Sequence, residues 1–105
     1  MKQPLQAILV AGEQAHADVL SGKKKITIRE GMRDYRKGPV LLGCPILDWA
    51  AMEVIVSVRH CFFSAVTIEE LVDDGFTDHA QALESMRAFY PELGRSSMMT
   101  VIRWL

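Results

Sequence analysis

The chain contains little that would commit it to a special class of protein. It has only two cysteines, Cys44 and Cys61, and no Cys-x-x-Cys pair, so neither a disulfide scaffold nor a zinc ribbon is indicated. No stretch reaches 18 apolar residues, which excludes a membrane-spanning helix of the usual length. The apolar run Ala7 to Ala11 is too short for a signal-peptide core and lacks a small-x-small cleavage site after it. A cytoplasmic protein is expected, with no membrane partner. There is no glycine-rich phosphate loop, and no His, Cys or Asp spacing suits a metal. The net charge of −1 argues against a broadly basic nucleic-acid binder. Repeats, low-complexity tracts and linkers are absent too. The whole chain, 1–105, therefore reads as one domain.

What is present suffices for a core. Half of the 105 residues are hydrophobic and 24% are charged, which excludes a disordered chain. A domain of this size buries roughly two-thirds of the surface its unfolded chain exposes, so it needs no covalent staple.

Hydrophobic periodicity orders the elements. Glu13 to Leu20 suits a helix, with Ala15, Val19 and Leu20 on one side and Gly22 as its C-terminal stop. Lys25 to Arg29 alternates, Ile26 and Ile28 against Lys25, Thr27 and Arg29, and predicts a half-buried strand with a polar outer face. Pro39 to Cys44 and Trp49 to Arg59 predict further strands, with Glu53 facing out or marking a bulge. Thr67-x-x-Glu70 is a capping box for a short helix that Gly75 ends. Asp78, with Gln81 three residues on, caps a second helix whose stripe is Ala82, Leu83, Met86, Phe89 and Tyr90, stopped by Pro91. Met98 to Trp104 predicts a last strand. Strands outnumber helices and do not alternate with them. An α+β fold is expected: a small, mostly antiparallel β-barrel with helices packed outside.

Charge is unevenly spread. Residues 23–37 hold seven of the twelve basic groups, against Glu30 and Asp34. Residues 69–78 hold Glu69, Glu70, Asp73, Asp74 and Asp78 and no basic group. The two segments either form separate solvated faces, which the charge pattern alone favours, or meet in a cleft suited to a polar or anionic small molecule.

Within the basic segment, Lys24 could act as a base toward the hydroxyl of Thr27. In an ideal strand the two point to opposite faces, but Lys24 precedes the strand, so the pleat does not fix its direction. By pattern alone a polar strand face with a lysine-rich entry is the plainer account. Arg29 lies on the face of Thr27, where a guanidinium could hold an anion or a polarised carbonyl oxygen. Asp73 and Asp74 sit at a helix C-terminus, where the dipole does not favour carboxylates. His16 and His79 are expected on helix surfaces. His60 and Cys61 are adjacent on a strand, which makes a poor dyad.

Gly22-Lys-Lys-Lys-Ile-Thr-Ile-Arg29 resembles the opening motif of the ASCH domain family: a helix, a glycine, a lysine and a strand ending Thr-x-Arg. Tyr35-Arg-Lys-Gly-Pro-Val40 is similar to the family's entry to the next strand. Asp73-Asp-Gly-Phe-Thr77, followed by a helix closing in Phe89-Tyr-Pro91, is the third matching piece. The resemblance runs across nearly the whole chain and comes nearest to short bacterial members that hydrolyse N(4)-acetylcytidine. It implies a PUA-like barrel and an amidohydrolase without metal or organic cofactor. In those members a lysine is the base, a threonine the nucleophile and a carboxylate the proton donor. These correspond to Lys24, Thr27 and Asp74, with Asp73 as the alternative acid. The relatives carry glutamate there, so an aspartate one methylene shorter is a departure. Arg29 would orient the substrate or stabilise the oxyanion, with Lys25 and Tyr35 also counted as substrate-binding. The implied partner is a nucleoside. An RNA-binding module without catalysis, served by the basic segment, is the alternative, and a ribonuclease using Lys24 with Tyr35 or another hydroxyl is a third.

Overall fold

The computed structural model describes residues 5–10 and 14–105. Five strands form one mixed sheet: β1 (Gln6–Leu9), β2 (Ile26–Glu30), β3 (Gly38–Cys44), β4 (Trp49–Phe62) and β5 (Met98–Trp104). Their spatial order is β1-β3-β4-β5-β2, with β1 parallel to β3 and the other neighbours antiparallel. The sheet curls into a half-barrel with a few helices outside it, which agrees with the α+β, PUA-like architecture expected.

One face of the sheet is buried along its length and the other where β2 and β5 lie under helices, and the pleat sorts the side chains between them. Ile8, Val40, Leu42, Ile55, Ile102 and Trp104 form one cluster, joined by Ala15 and Val19 of α1 (Ala15–Ser21). Ile26, Ile28, Met99 and Val101 form the other, joined by Leu71 of α2 (Ile68–Asp73) and by Ala82 and Met86 of α3 (His79–Met86). The polar outer face expected for β2 is therefore corrected. Thr27 lies opposite Ile102 and is 4% exposed.

The helix signals act as read. Gly22 adopts φ +79°, and its N–H closes on the Val19 carbonyl. The start expected at Glu13 lies outside the described residues. Thr67 and Glu70 exchange both capping-box hydrogen bonds, and the Asp78 carboxylate accepts from the Gln81 N–H at 2.8 Å.

Four readings change. β1 was only an apolar run in sequence, because four residues carry too short an alternation to show a strand. The shift in β4 falls between Ile55 and Ser57, beyond Glu53. The last helix ends at Met86, so Phe89 and Tyr90 stand in the turn after it; Tyr90 N–H bonds back to the Met86 carbonyl. The helix histidines are engaged. His16 stacks on Trp49 with centroids 4.8 Å apart, and His79 Nε2 donates to the Val66 carbonyl at 2.6 Å.

Candidate active site

The two edge strands, β1 and β2, face each other across the open side of the half-barrel. No ladder joins them among the described residues. Arg29 crosses this seam. Its Nη2 donates to the Leu9 carbonyl at 2.5 Å, and its Nε donates to Thr27 Oγ1 at 2.9 Å. One guanidinium thus links β1 to β2 and fixes the threonine hydroxyl.

Lys24 approaches the same place from the turn after α1. Its main chain is held at both ends: its N–H bonds to the Asp18 carbonyl at 2.9 Å, and its carbonyl accepts from the Trp104 indole at 3.1 Å. Its Nζ contacts Asp74 Oδ1 at 2.5 Å. The pleat does not apply at Lys24, because β2 begins at Ile26. That is how Lys24 and Thr27 reach one cavity.

Asp74 is the C-cap of α2, and Gly75 at φ +94° turns the chain sharply after it. Asp73, one residue earlier, is rotated away around the helix and pairs with Arg103 at 2.9 Å. The geometry therefore separates two aspartates that the sequence left as alternatives. Asp74 Oδ2 also accepts from the Ile28 N–H on the free edge of β2, at 3.3 Å. The carboxyl is mostly buried. Loss of water pushes it above the usual aspartate range, and the opposing pull of Lys24, the Ile28 N–H and Arg29 does not fully offset that. A carboxyl held toward its acid form is suited to donating a proton.

These groups line a cavity of about 320 Å³, within the range of small-molecule pockets, about 300–1,000 Å³. Lys24, Thr27, Arg29 and Asp74 form its polar side. Leu9, Phe76, Met86, Phe89 and Tyr90 form its apolar side. The helix stripe expected of Met86, Phe89 and Tyr90 holds for Met86, the last residue of α3, while Phe89 and Tyr90 belong to the turn after it.

Two expected substrate contacts lie elsewhere. Lys25 is exposed and lines the neighbouring groove with Lys23 and Arg103. Tyr35 packs against the cluster under β3, and its hydroxyl bonds to the Ala7 carbonyl at 3.4 Å. Among the described residues no group of His, Cys, Asp and Glu could hold a metal, and no helix is long and apolar enough to cross a membrane.

The fold is that of an ASCH domain. An ASCH domain from Lactobacillus crispatus superimposes with a TM-score of 0.69 at 17% identity, covering 95% of this chain and 77% of that one. A protein of Enterococcus faecalis from the family DUF984 gives 0.68 at 13% identity, covering 99% of this chain and 81% of that one. No protein-family profile and no curated protein matches the sequence.

Proposed function

We propose that the chain is an amidohydrolase that removes the acetyl group from N(4)-acetylcytidine or a related acylated cytosine. The observation that carries this reading is the meeting of Lys24, Asp74, Thr27 and Arg29 around one cavity with an aromatic wall. Arg29 Nε occupies a lone pair of Thr27 Oγ1 and leaves the hydroxyl hydrogen free for a base.

Lys24 acts as that base once the proton of the Lys24–Asp74 pair resides on Asp74. Thr27 Oγ attacks the acetyl carbonyl, and its proton passes to Lys24. The guanidinium of Arg29 stabilises the oxyanion. Asp74 protonates the exocyclic nitrogen as the C–N bond breaks, releasing cytidine and leaving an acetyl ester on Thr27. Asp74, now ionised, takes a proton from a water that attacks the ester, and Lys24 returns its proton to Thr27 Oγ as the acetyl group leaves, which restores the pair. Phe89 and Tyr90 offer faces for the pyrimidine.

The test is release of acetate from N(4)-acetylcytidine by the wild type beside Lys24→Ala and Thr27→Ala. Turnover that both substitutions abolish supports the assignment. A folded wild type with no turnover overturns it, as does turnover that survives in either variant.

A further inference from the structure

α2 and α3 cover one face of the sheet over β2 and β5 and leave it bare over β1, β3 and the start of β4. The register shows what stands on the bare part. Ala7, Leu41 and Met52 form a row across the three strands, and Leu9, Gly43 and Ala50 form the next. On the other side of the first row, Pro39 lies beside Val54. None of these residues is charged, and Leu9, Met52 and Val54 are 57%, 55% and 44% exposed. A sheet face open to water ordinarily carries polar side chains. Glu53 does not supply one here, because it pairs with Val40 and points to the opposite face.

The size of this surface matters. Three strands about 4.8 Å apart, the middle one 7 residues long, cover roughly 300 Å² in flat projection. Leu5 before β1 and Ile46 and Leu47 in the turn before β4 are exposed, and they extend the apolar surface at its two ends. The whole approaches the roughly 500 Å² per partner of a small specific interface. A continuous apolar patch of that extent marks a contact site.

We propose that this face packs on the same face of a second copy of the chain, sheet on sheet, across a two-fold axis. An uncharged face can meet its own copy without like-charge repulsion. Its shape is self-complementary too. Leu41 is the middle residue of β3. An axis laid across the strands at the Leu41 row sets each residue of that row over its own copy, and the rows on either side exchange places. The small Gly43 and Ala50, which line a hollow of about 520 Å³, then receive Pro39 and Val54 of the second copy. The two ends exchange as well. Lys37, just before β3, comes over Asp48, just before β4, and neither has an ion-pair partner within the chain among the described residues. A lipid surface or a partner of one charge sign would match only one of those ends. The proposal is independent of the amidohydrolase reading.

The test is sedimentation equilibrium of the wild type from about 1 to 300 µM, because an interface at the small end of the range predicts a micromolar Kd. Met52→Glu sets two carboxylates against each other near the axis and should weaken association about 100-fold or more. Met52→Lys should do the same, and an equimolar mixture of the two variants should restore the dimer. Should either variant fail to fold by circular dichroism, Lys37→Asp and Asp48→Lys take their place. Each alone should weaken the dimer about threefold or more, and the two together in one chain should restore it. A wild type that stays monomeric throughout overturns the proposal, and flotation of that monomer with phosphatidylcholine vesicles would assign the face to a lipid surface. A dimer that Met52→Glu leaves intact overturns it as well, since the contact then lies elsewhere. A mixture of the two Met52 variants that stays monomeric overturns the two-fold arrangement.

Discussion

Lys24 and Asp74 are 50 positions apart in sequence, yet their charged atoms stand 2.5 Å apart at the open side of the half-barrel. Neither end of the pair is left to chance. Trp104 and Asp18 fix the lysine main chain, and the Ile28 N–H fixes the second carboxylate oxygen. The pair is therefore positioned by four separate elements: α1, α2, β2 and β5.

The raised Asp74 carboxyl gives this pair a pH signature. Its folded value lies above the ordinary 3.8, with burial the largest cause. A group whose value rises on folding contributes stability that is full below the unfolded value and is lost as pH rises through the folded value. In Asp74→Asn that dependence disappears, so the variant should gain on the wild type as pH is raised from about 4 upward. Turnover in the wild type should rise over the same interval, because below it both members of the pair are protonated and Lys24 cannot take the Thr27 proton. Urea midpoints and initial rates across the same buffers check both. Identical pH dependence of stability in the two proteins would refute the assignment.

Arg29→Lys separates the two bonds of the guanidinium. A lysine can reach one of Leu9 O and Thr27 Oγ1, but it cannot donate to both in the planar arrangement observed. Loss of one charged hydrogen bond should cost about 1.5–3 kcal/mol of stability, read as a urea midpoint. With the hydroxyl no longer fixed, kcat on acetylcytidine should fall about 10²-fold or more while KM changes less.

Glu70 carries the opposite sign from Asp74. Burial acts to raise it, but the Thr67 N–H and Arg59 together outweigh burial and hold it below its ordinary 4.5. Its contribution is present above that value and is lost as pH falls through the lower folded value. Glu70→Gln should therefore flatten acid unfolding below about pH 4.5 and lower stability at neutral pH. Circular dichroism along an acid titration would show it.

At Gly43 the backbones of β3 and β4 come too close for a side chain. A Cβ there would lie 2.8 Å from the Trp49 carbonyl oxygen, within the ladder that pairs Gly43 with Ala50. Gly43→Ala must push β4 aside and should lower stability by about 1–3 kcal/mol, although alanine suits strands no worse than glycine. A melting temperature unchanged from wild type would contradict that close approach.

The legible parts of this molecule were those governed by local rules. Gly22, the Thr67–Glu70 capping box and the Asp78 cap each act within a few residues. What stayed hidden depends on partners far away. β1 finds its place only by pairing with β3 some thirty residues on. Asp73 and Asp74 are chemically alike in sequence, and only the end of α2 turns one to Arg103 and the other to Lys24. The family resemblance pointed to Lys24, Thr27 and Asp74, which share the cavity. It also pointed to Lys25 and Tyr35, which do not line it.

Phe89 offers a test in which function and stability part company. It lines the aromatic cavity and is 71% exposed. It stands in the turn after α3, so packing in the core does not hold it there. Removing the ring should change stability by no more than about 0.5 kcal/mol, as for other surface positions. Stacking a base on an aromatic ring is worth about 1–3 kcal/mol, so Phe89→Ala should raise KM for acetylcytidine about five- to a hundredfold with kcat little changed. Phe89→Trp retains a stacking face and should keep KM near the wild-type value. If Phe89→Ala left KM unaltered while the protein stayed folded, the pyrimidine would have to lie against another wall of the cavity.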